Sequence, residues 1–320
     1  MTKRILCLIL SLCILFLFAG CNNEVEEIET VRRTYKITTD EYDNTPDISS
    51  MACLDYGYIW FDDCLSKTTD IVKATFLGTV KLNDVYYFNF EIQDILKGNF
   101  DDSVVSVYVN PADYVALIGD GPVSSYTTEN IDYEVNKNYL LLLSRNVNVH
   151  YDGDLLSPIH DTLVILLGSD GTPDISASKM YNTNFEIHIR DSGLKQDILN
   201  GNLINRVLEI TKDNPEVHIS KDIIDTDDPV EILEKSEIVL IVTVDNKMVS
   251  SYDPPYDRAF CDCSVVKVIK GDIEEKTLER LILTNSKVNS GEVYLLALNK
   301  PGNYYRLSSR NSIFPWEIEE

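Results

Sequence analysis

One short run occurs twice in this chain. DILKGNF stands at Asp94–Phe100 and KVIKGDI at Lys267–Ile273, 173 residues further on. Each closes a β-like stretch with two aliphatics and Lys-Gly. Glycine takes a positive φ at little cost, so the run reads as a turn that ends a strand. Two more runs recur in the same order. EKSEIVLIVTV matches SKTTDIVKATF, with Ile238 set 167 residues after Ile71. VYLLAL matches NYLLLL, with Tyr294 set 155 residues after Tyr139. The order holds while the spacing changes, so the length differences fall in loops. The second half has six more residues in its first hairpin, and the first half has 18 more before NYLL. Such internal self-similarity predicts a duplicated domain.

Within the first unit, DVYYFNFEIQDILKG alternates. Phe88, Phe90 and Ile92 share one face, and Tyr87, Asn89 and Glu91 the other. SVVSVYV is the next strand, and NYLLLLS is continuous enough to be buried on both faces. Between the units, Leu194, Ile198, Leu203, Val207 and Ile210 recur at helical spacing. Ser192 is the expected cap and Asn214-Pro215 the stop. Gly201 weakens that helix by about 1 kcal/mol relative to alanine. DDPVEILEKSE predicts a short second helix, with Asp228 as N-cap, Pro229 at the first helical position and Glu231 three after the cap.

The N-terminus reads as a targeting segment. A basic start, MTKR, precedes the apolar ILCLILSLCILFLF, which has the length of a signal h-region. FAGC at Phe18–Cys21 resembles the bacterial lipobox, with Phe18 where leucine is usual. That resemblance implies cleavage after Gly20 and a diacylglyceryl thioether on Cys21. Two acyl chains anchor stably where one binds only marginally. The following acidic, Thr-rich stretch to Ser50 reads as a tether.

The chain holds 28 basic and 52 acidic residues, net −24. Nucleic-acid binding needs Lys/Arg to displace counterions, so this balance excludes it. It also repels anionic lipid, leaving the lipid anchor as the expected membrane contact. Of seven cysteines, Cys7 and Cys13 leave with the signal and Cys21 takes the lipid. Cys53, Cys64, Cys261 and Cys263 are too few for a disulfide framework. A Cys53–Cys64 bridge and a pair of buried thiols both remain open.

Cys261-Asp262-Cys263 puts two sulfurs on one face of a strand, a spacing that suits a soft metal. The offset of 173 maps these cysteines onto Phe88 and Phe90, so a core position is expected, with no metal. His150, His160, His188 and His218 form no HExxH or paired ligand set. His188 falls in NFEIHIR, which alternates as an exposed strand does. His160-Asp161 lacks a nucleophile context. Asp225–Glu231 crowds carboxylates without EF-hand spacing, and helix capping accounts for Asp228 and Glu231.

The order S/T–D/E–I–V, alternating strand, aliphatic-Lys-Gly, strand, Y-L-L resembles the netrin-like, TIMP-type domains and similar runs in bacterial surface lipoproteins. The resemblance covers about Ser66–Leu167 and Ser236–Trp316. It implies OB-type, five-stranded Greek-key barrels. The disulfides and free N-terminal cysteine of the TIMP-type inhibitors are missing here, so their metalloprotease inhibition is not carried over.

The expected architecture is mainly β with helical connectors. It comprises a lipoprotein signal peptide (1–20), an acidic tether (21–50), a first OB-like barrel with a preceding helix (51–185), a helical connector (186–235) and a second barrel (236–320). The expected function is that of a lipid-anchored, extracytoplasmic binding protein of the cell envelope, without catalysis or cofactor. Its partner would be a protein or a surface glycan. An envelope enzyme or protease modulator, and a structural spacer, are the alternatives. OB barrels bind through strands two and three and the loop joining strands one and two. Contact is therefore expected at Asp113–Tyr133 and Val249–Arg258, above all at Tyr252 and Tyr256 flanking Pro254-Pro255.

Overall fold

A computed structural model describes residues 32–39, 42, 52–53, 60–82, 85–108, 126–127, 133–151, 153–160, 163–180, 183–249 and 257–316. The expected lipid site Cys21, the Cys53 side chain and the loop residues Tyr252, Pro254, Pro255 and Tyr256 lie outside the described residues.

A short helix, α1 (Phe61–Cys64), continued by a 3-10 turn at Leu65–Lys67, leads into the first sheet. Its strands are β1 (Asp70–Leu82), β2 (Val85–Lys97), β3 (Val104–Tyr108), β4 (Asn138–Asn146) and β5 (Leu155–Pro158). β1 pairs with β2, and β2 with β3, antiparallel. β3 runs parallel to β5, which pairs with β4, and β4 returns to β1. The ring is closed. Alternation works as the sequence predicts: Phe88 and Phe90 are buried inside with Val72, Ala74 and Phe76, and Ile92 packs against them.

The outer face of β1 and β4 is also covered. Ile71, Leu140 and Leu142 pack with Leu194, Ile198, Leu203 and Val207 of the connector. Both faces of β4 are thus dry, which explains its unbroken apolar run. The connector is two helices, α2 (Ser192–Leu199) and α3 (Leu203–Thr211), where the periodicity predicts one. Gly201, at φ +85°, supplies the left-handed residue that ends α2. The cap is Asp191, one residue before the expected Ser192; its Oδ1 accepts the Leu194 N–H at 2.7 Å.

The second sheet follows α4 (Pro229–Lys235), which Asp228 caps as expected, accepting the Val230 N–H at 2.9 Å. Its strands are β6 (Ile238–Val249), β7 (Arg258–Lys270), β8 (Thr277–Thr284), β9 (Val293–Asn299), β10 (Arg306–Leu307) and β11 (Ile313–Pro315). The order is β8-β7-β6-β9-β10, with β11 also on β9. No ladder joins β8 to β10 among the described residues, so one closed barrel and one open sheet stand where two barrels are expected. β10 has two residues where β5 has four, and among the described residues it pairs with β9 alone.

The registers of the first hairpins of the two sheets coincide. Ile71 pairs with Lys97, Val72 with Ile95, Ala74 with Ile92 and Phe76 with Phe90. Val239 pairs with Lys270, Leu240 with Val268, Val242 with Val265 and Val244 with Cys263. Three register shifts interrupt each hairpin at corresponding steps, the last between Phe76 and Gly78 and between Val244 and Asn246. The counterpart of Ile71 is therefore Val239, a correction of one residue from Ile238. A one-residue slip matters because it exchanges the two faces of a strand. With that correction, α1 and its 3-10 turn overlay α4 residue for residue, and buried Cys64 falls on buried Ile232.

The Lys-Gly runs have one role in both places. Gly98 (φ +99°) and Gly271 (φ +87°) sit against the start of the first strand of their sheets. A Cβ would come within 2.1 Å of Asp70 Oδ1 at Gly98, and within 2.8 Å of the Glu237 carbonyl at Gly271. Lys97 Nζ donates to the carbonyls of Thr68, at 3.5 Å, and Thr211. Lys270 Nζ donates to those of Leu233, at 3.4 Å, and Glu234, at 2.6 Å. Both lysines thus cap carbonyls at the ends of helical turns.

Candidate functional site

The outer face of β2 and β3 carries Tyr87, Asn89, Ser106 and Tyr108. On the closed barrel, the chain itself fills this face. Arg32–Thr39, within the stretch read as tether, runs along the barrel in extended form. The Ile37 N–H donates to Ser106 Oγ at 2.9 Å, and Asn89 Nδ2 donates to the Ile37 carbonyl at 3.1 Å. Ser106 Oγ donates in turn to Asn89 Oδ1 at 2.8 Å. Tyr35 N–H donates to the Asp154 carbonyl at 2.9 Å, and Asp154 N–H to the Arg33 carbonyl at 2.8 Å. The Tyr35 ring centroid lies 4.7 Å from that of Tyr151 and 6.0 Å from that of Tyr87. Tyr35 and Ile37 pack on Tyr87, Tyr108, Tyr151 and Leu155. Lys36 pairs with Asp102 at 2.6 Å and holds that carboxyl below its ordinary range. The sequence signal for this segment is the alternation Thr34-Tyr35-Lys36-Ile37, two large side chains on one face within a polar stretch.

The corresponding face of the second sheet is differently placed. Phe260 stands opposite Ile282 as Tyr87 stands opposite Tyr108. Asp262 and Ser264 occupy the positions of Asn89 and Glu91. Arg280 lies over the Phe260 ring at 5.1 Å and donates its backbone N–H to Asp262 Oδ1 at 3.0 Å. Ser264 Oγ donates to Asp245 at 2.7 Å. These are contacts within the sheet. Phe260, Asp262 and Ile282 are half-buried, while Tyr87, Asn89 and Tyr108 are buried. Val249, 57% exposed, ends β6 at the hairpin that leads toward Tyr252 and Tyr256.

The other expected contact loop behaves differently at its end. Tyr133 packs against Phe76, Phe88, Phe90 and Tyr139, with centroids 4.8–5.6 Å away. It is part of the barrel's aromatic core.

An ionic cluster that the sequence motifs do not reveal ties these parts together. Arg145, 1% exposed, donates to both oxygens of Asp70, at 2.8 and 3.1 Å, and to the Asn99 carbonyl at 2.6 Å. Asp154, also buried, accepts from Arg32 Nε at 2.7 Å and from Arg310 Nη2 at 2.8 Å. Arg32 reaches on to Asp225 at 2.9 Å. The N-terminal segment, both sheets and the linker before α4 therefore meet at Asp154 and Arg32. Burial opposes ionisation of Asp154, but its hydrogen bonds from Arg32 and Arg310 win and hold its carboxyl low. Alongside, Val149 leaves the first barrel and packs into the apolar cluster of the second sheet.

The remaining candidates disperse. Cys261 and Cys263 are fully buried in the core of the second sheet, as their match to Phe88 and Phe90 predicts. Burial pushes their thiols up to about 11 and about 12. His150 faces Arg258, Arg306 and Asp257; burial and the two arginines bring it down to about 4. His160 faces Lys67 and His188, and burial brings it down to about 4 as well. His188 lies in a 3-10 turn (Phe185–His188) and is buried, with Nε2 2.6 Å from Thr183 Oγ1, in contrast to the exposed strand expected. The carboxylates of Asp225–Glu231 are engaged separately. Asp225 holds Arg32, Asp227 holds Asn311, Asp228 caps α4 and Glu231 pairs with Lys235. Neither His150 nor His160 joins that segment, and no group of three or more metal-ligating side chains occurs among the described residues.

Fold and site together define a mainly β protein with a closed five-stranded barrel and a second sheet whose first hairpin matches it in register; among the described residues, one β2–β3-type face is filled and its counterpart is half-buried. No family model, curated protein or solved structure matches the chain.

Proposed function

We propose that this chain is a lipid-anchored, extracytoplasmic binding protein of the cell envelope, built from two copies of one OB-like unit. The first copy is occupied by the chain's own Arg32–Thr39, and the second presents its equivalent face to a partner. The observation that carries this reading is the pair of backbone hydrogen bonds that Asn89 and Ser106 make with Ile37. A face that already holds an extended segment has the shape for one, and β7 pairs Phe260 with Ile282 as β2 pairs Tyr87 with Tyr108; a bulge at Glu279-Arg280 stands where the first barrel has Ser106.

Its chemistry suits an extended protein segment. Phe260 and Ile282 offer apolar area, Asp262 an acceptor for a backbone N–H, and Arg280 a donor. Tyr252 and Tyr256, at the end of the same hairpin, would extend the contact. Cys21 would hold the chain at the membrane. The matching bulges, the paired Lys-Gly turns and the overlay of α1 on α4 support common construction of the two halves.

Affinity capture from envelope extract with the soluble fragment Asn22–Glu320 tests the reading. The partner should be lost with Phe260→Asp, and weakened with Tyr252→Ala and Tyr256→Ala together. Unchanged capture by Phe260→Asp rejects the β7–β8 face.

A further inference from the structure

A second interface is made on the first barrel, and among the described residues no helix covers its counterpart on the second sheet. On the first barrel, α3 crosses the 3-10 turn after α1 and the end of β2. Leu203 and Val207, four residues apart, are buried in one cluster with Leu65, and Leu96 packs against that cluster. The end of α3 is held by charge and hydrogen bonds: Lys97 Nζ donates to the carbonyl of Thr211, the last residue of the helix. Beyond it, Asn214 Nδ2 donates to the carbonyls of Leu65 and Thr68, at 2.8 and 2.9 Å. The helix seat is thus Leu65, Leu96 and Lys97.

The counterparts on the second sheet are Leu233, Ile269 and Lys270, which keep the same classes of side chain. Here Ile269 is 50% exposed, Val230 on α4 is 59% exposed and Leu233 is half-buried. The α2–α3 hairpin is already used on the first barrel. We propose that this face of the second sheet seats an amphipathic helix donated by a partner protein, in the way the first barrel seats α3.

The chemistry of that helix follows from the seat it copies. It needs two apolar side chains at i and i+4. Its C-terminal turn would face Lys270, whose charge suits the negative end of a helix. Lys267 stands where the first barrel has Asp94, so an acidic flank is favoured. A second copy of this chain is a poor donor. Its own Leu203 and Val207 are 1% and 0% exposed, and releasing them means undocking the connector. This surface involves neither Phe260 nor Ile282, so it stands apart from the β7–β8 face.

The probe is a labelled peptide of Asn202–Asn214, NLINRVLEITKDN, titrated against the whole chain by fluorescence anisotropy. Saturable binding is expected, weakened at least tenfold by Ile269→Asp and unchanged by Gln196→Ala at an exposed position of α2. No saturation up to millimolar peptide, or equal binding by Ile269→Asp, overturns the proposal. Loss with Leu96→Asp alone would mean exchange on the first barrel and overturns it too. Sedimentation showing a dimer that Ile269→Asp dissolves would make a second copy the occupant and reject the partner helix.

Discussion

Tyr139 and Tyr294 hold the same position in their two sheets: each phenol oxygen accepts, at 2.8 Å, the backbone N–H of the residue five before it, Glu134 and Asn289. Tyr139 pairs with Ala74 and Tyr294 with Val242, which are themselves counterparts. Tyr294 also donates to Glu292 Oε2 at 2.7 Å. Tyr139→Phe and Tyr294→Phe each remove one hydrogen bond to a turn N–H, worth about 1 kcal/mol. Urea unfolding should show losses of at least that size at both sites; at Tyr294, Glu292 also loses one of its two donors.

Gly98→Ala and Gly271→Ala should both destabilise by more than about 1 kcal/mol, since each adds left-handed strain to a steric clash. Gly291 has φ +86° but open space around its Cα. Gly291→Ala should therefore cost only the backbone strain, about 1 kcal/mol. Thermal unfolding of the three variants separates the two effects.

Cys261 and Cys263 should be silent toward thiol reagents in the folded protein. The thiolate is the reactive form, and burial raises both thiols well above neutral pH. Their labelling rate at pH 8 should follow the unfolding rate and rise steeply in urea. Fast labelling in native buffer would place them outside the core.

His150 and His160 predict acid sensitivity. Their folded pKa values, about 4, lie below the unfolded value near 6.5, so the fold favours the neutral ring. That stability is complete above pH 6.5 and is lost as pH falls toward 4. Each histidine should contribute on the order of 1 kcal/mol per pH unit in that window. Asp154, with its carboxyl held low, weakens the fold only at lower pH still. Urea midpoints measured from pH 7 to pH 5 should decline in the native chain and flatten in the His150→Gln, His160→Gln double variant.

The paired Lys-Gly runs make the strand order and the burial of Cys261 and Cys263 legible from sequence, because side-chain alternation carries from one half to the other. Identity of letters misleads by one residue at Ile71, since the Ile-Val pair matches at 167 while the ladder and its bulges run at 168. The filled face is not legible in the same way. Arg32–Thr39 has too few apolar residues to read as a buried strand, and its attachment rests on long-range hydrogen bonds to Asn89 and Ser106. Arg145 looks like the polar end of β4; its burial depends on Asp70, 75 residues away in sequence.

Site-specific photo-crosslinking in the cells that make this chain decides whether the β7–β8 face of the second sheet is a contact surface. A photoreactive phenylalanine analogue at Phe260 should give a discrete adduct with a partner, and the same group at exposed Gln196 on α2 should give none. Adducts of equal yield at both positions, or none at Phe260, would mean that no partner sits on this face.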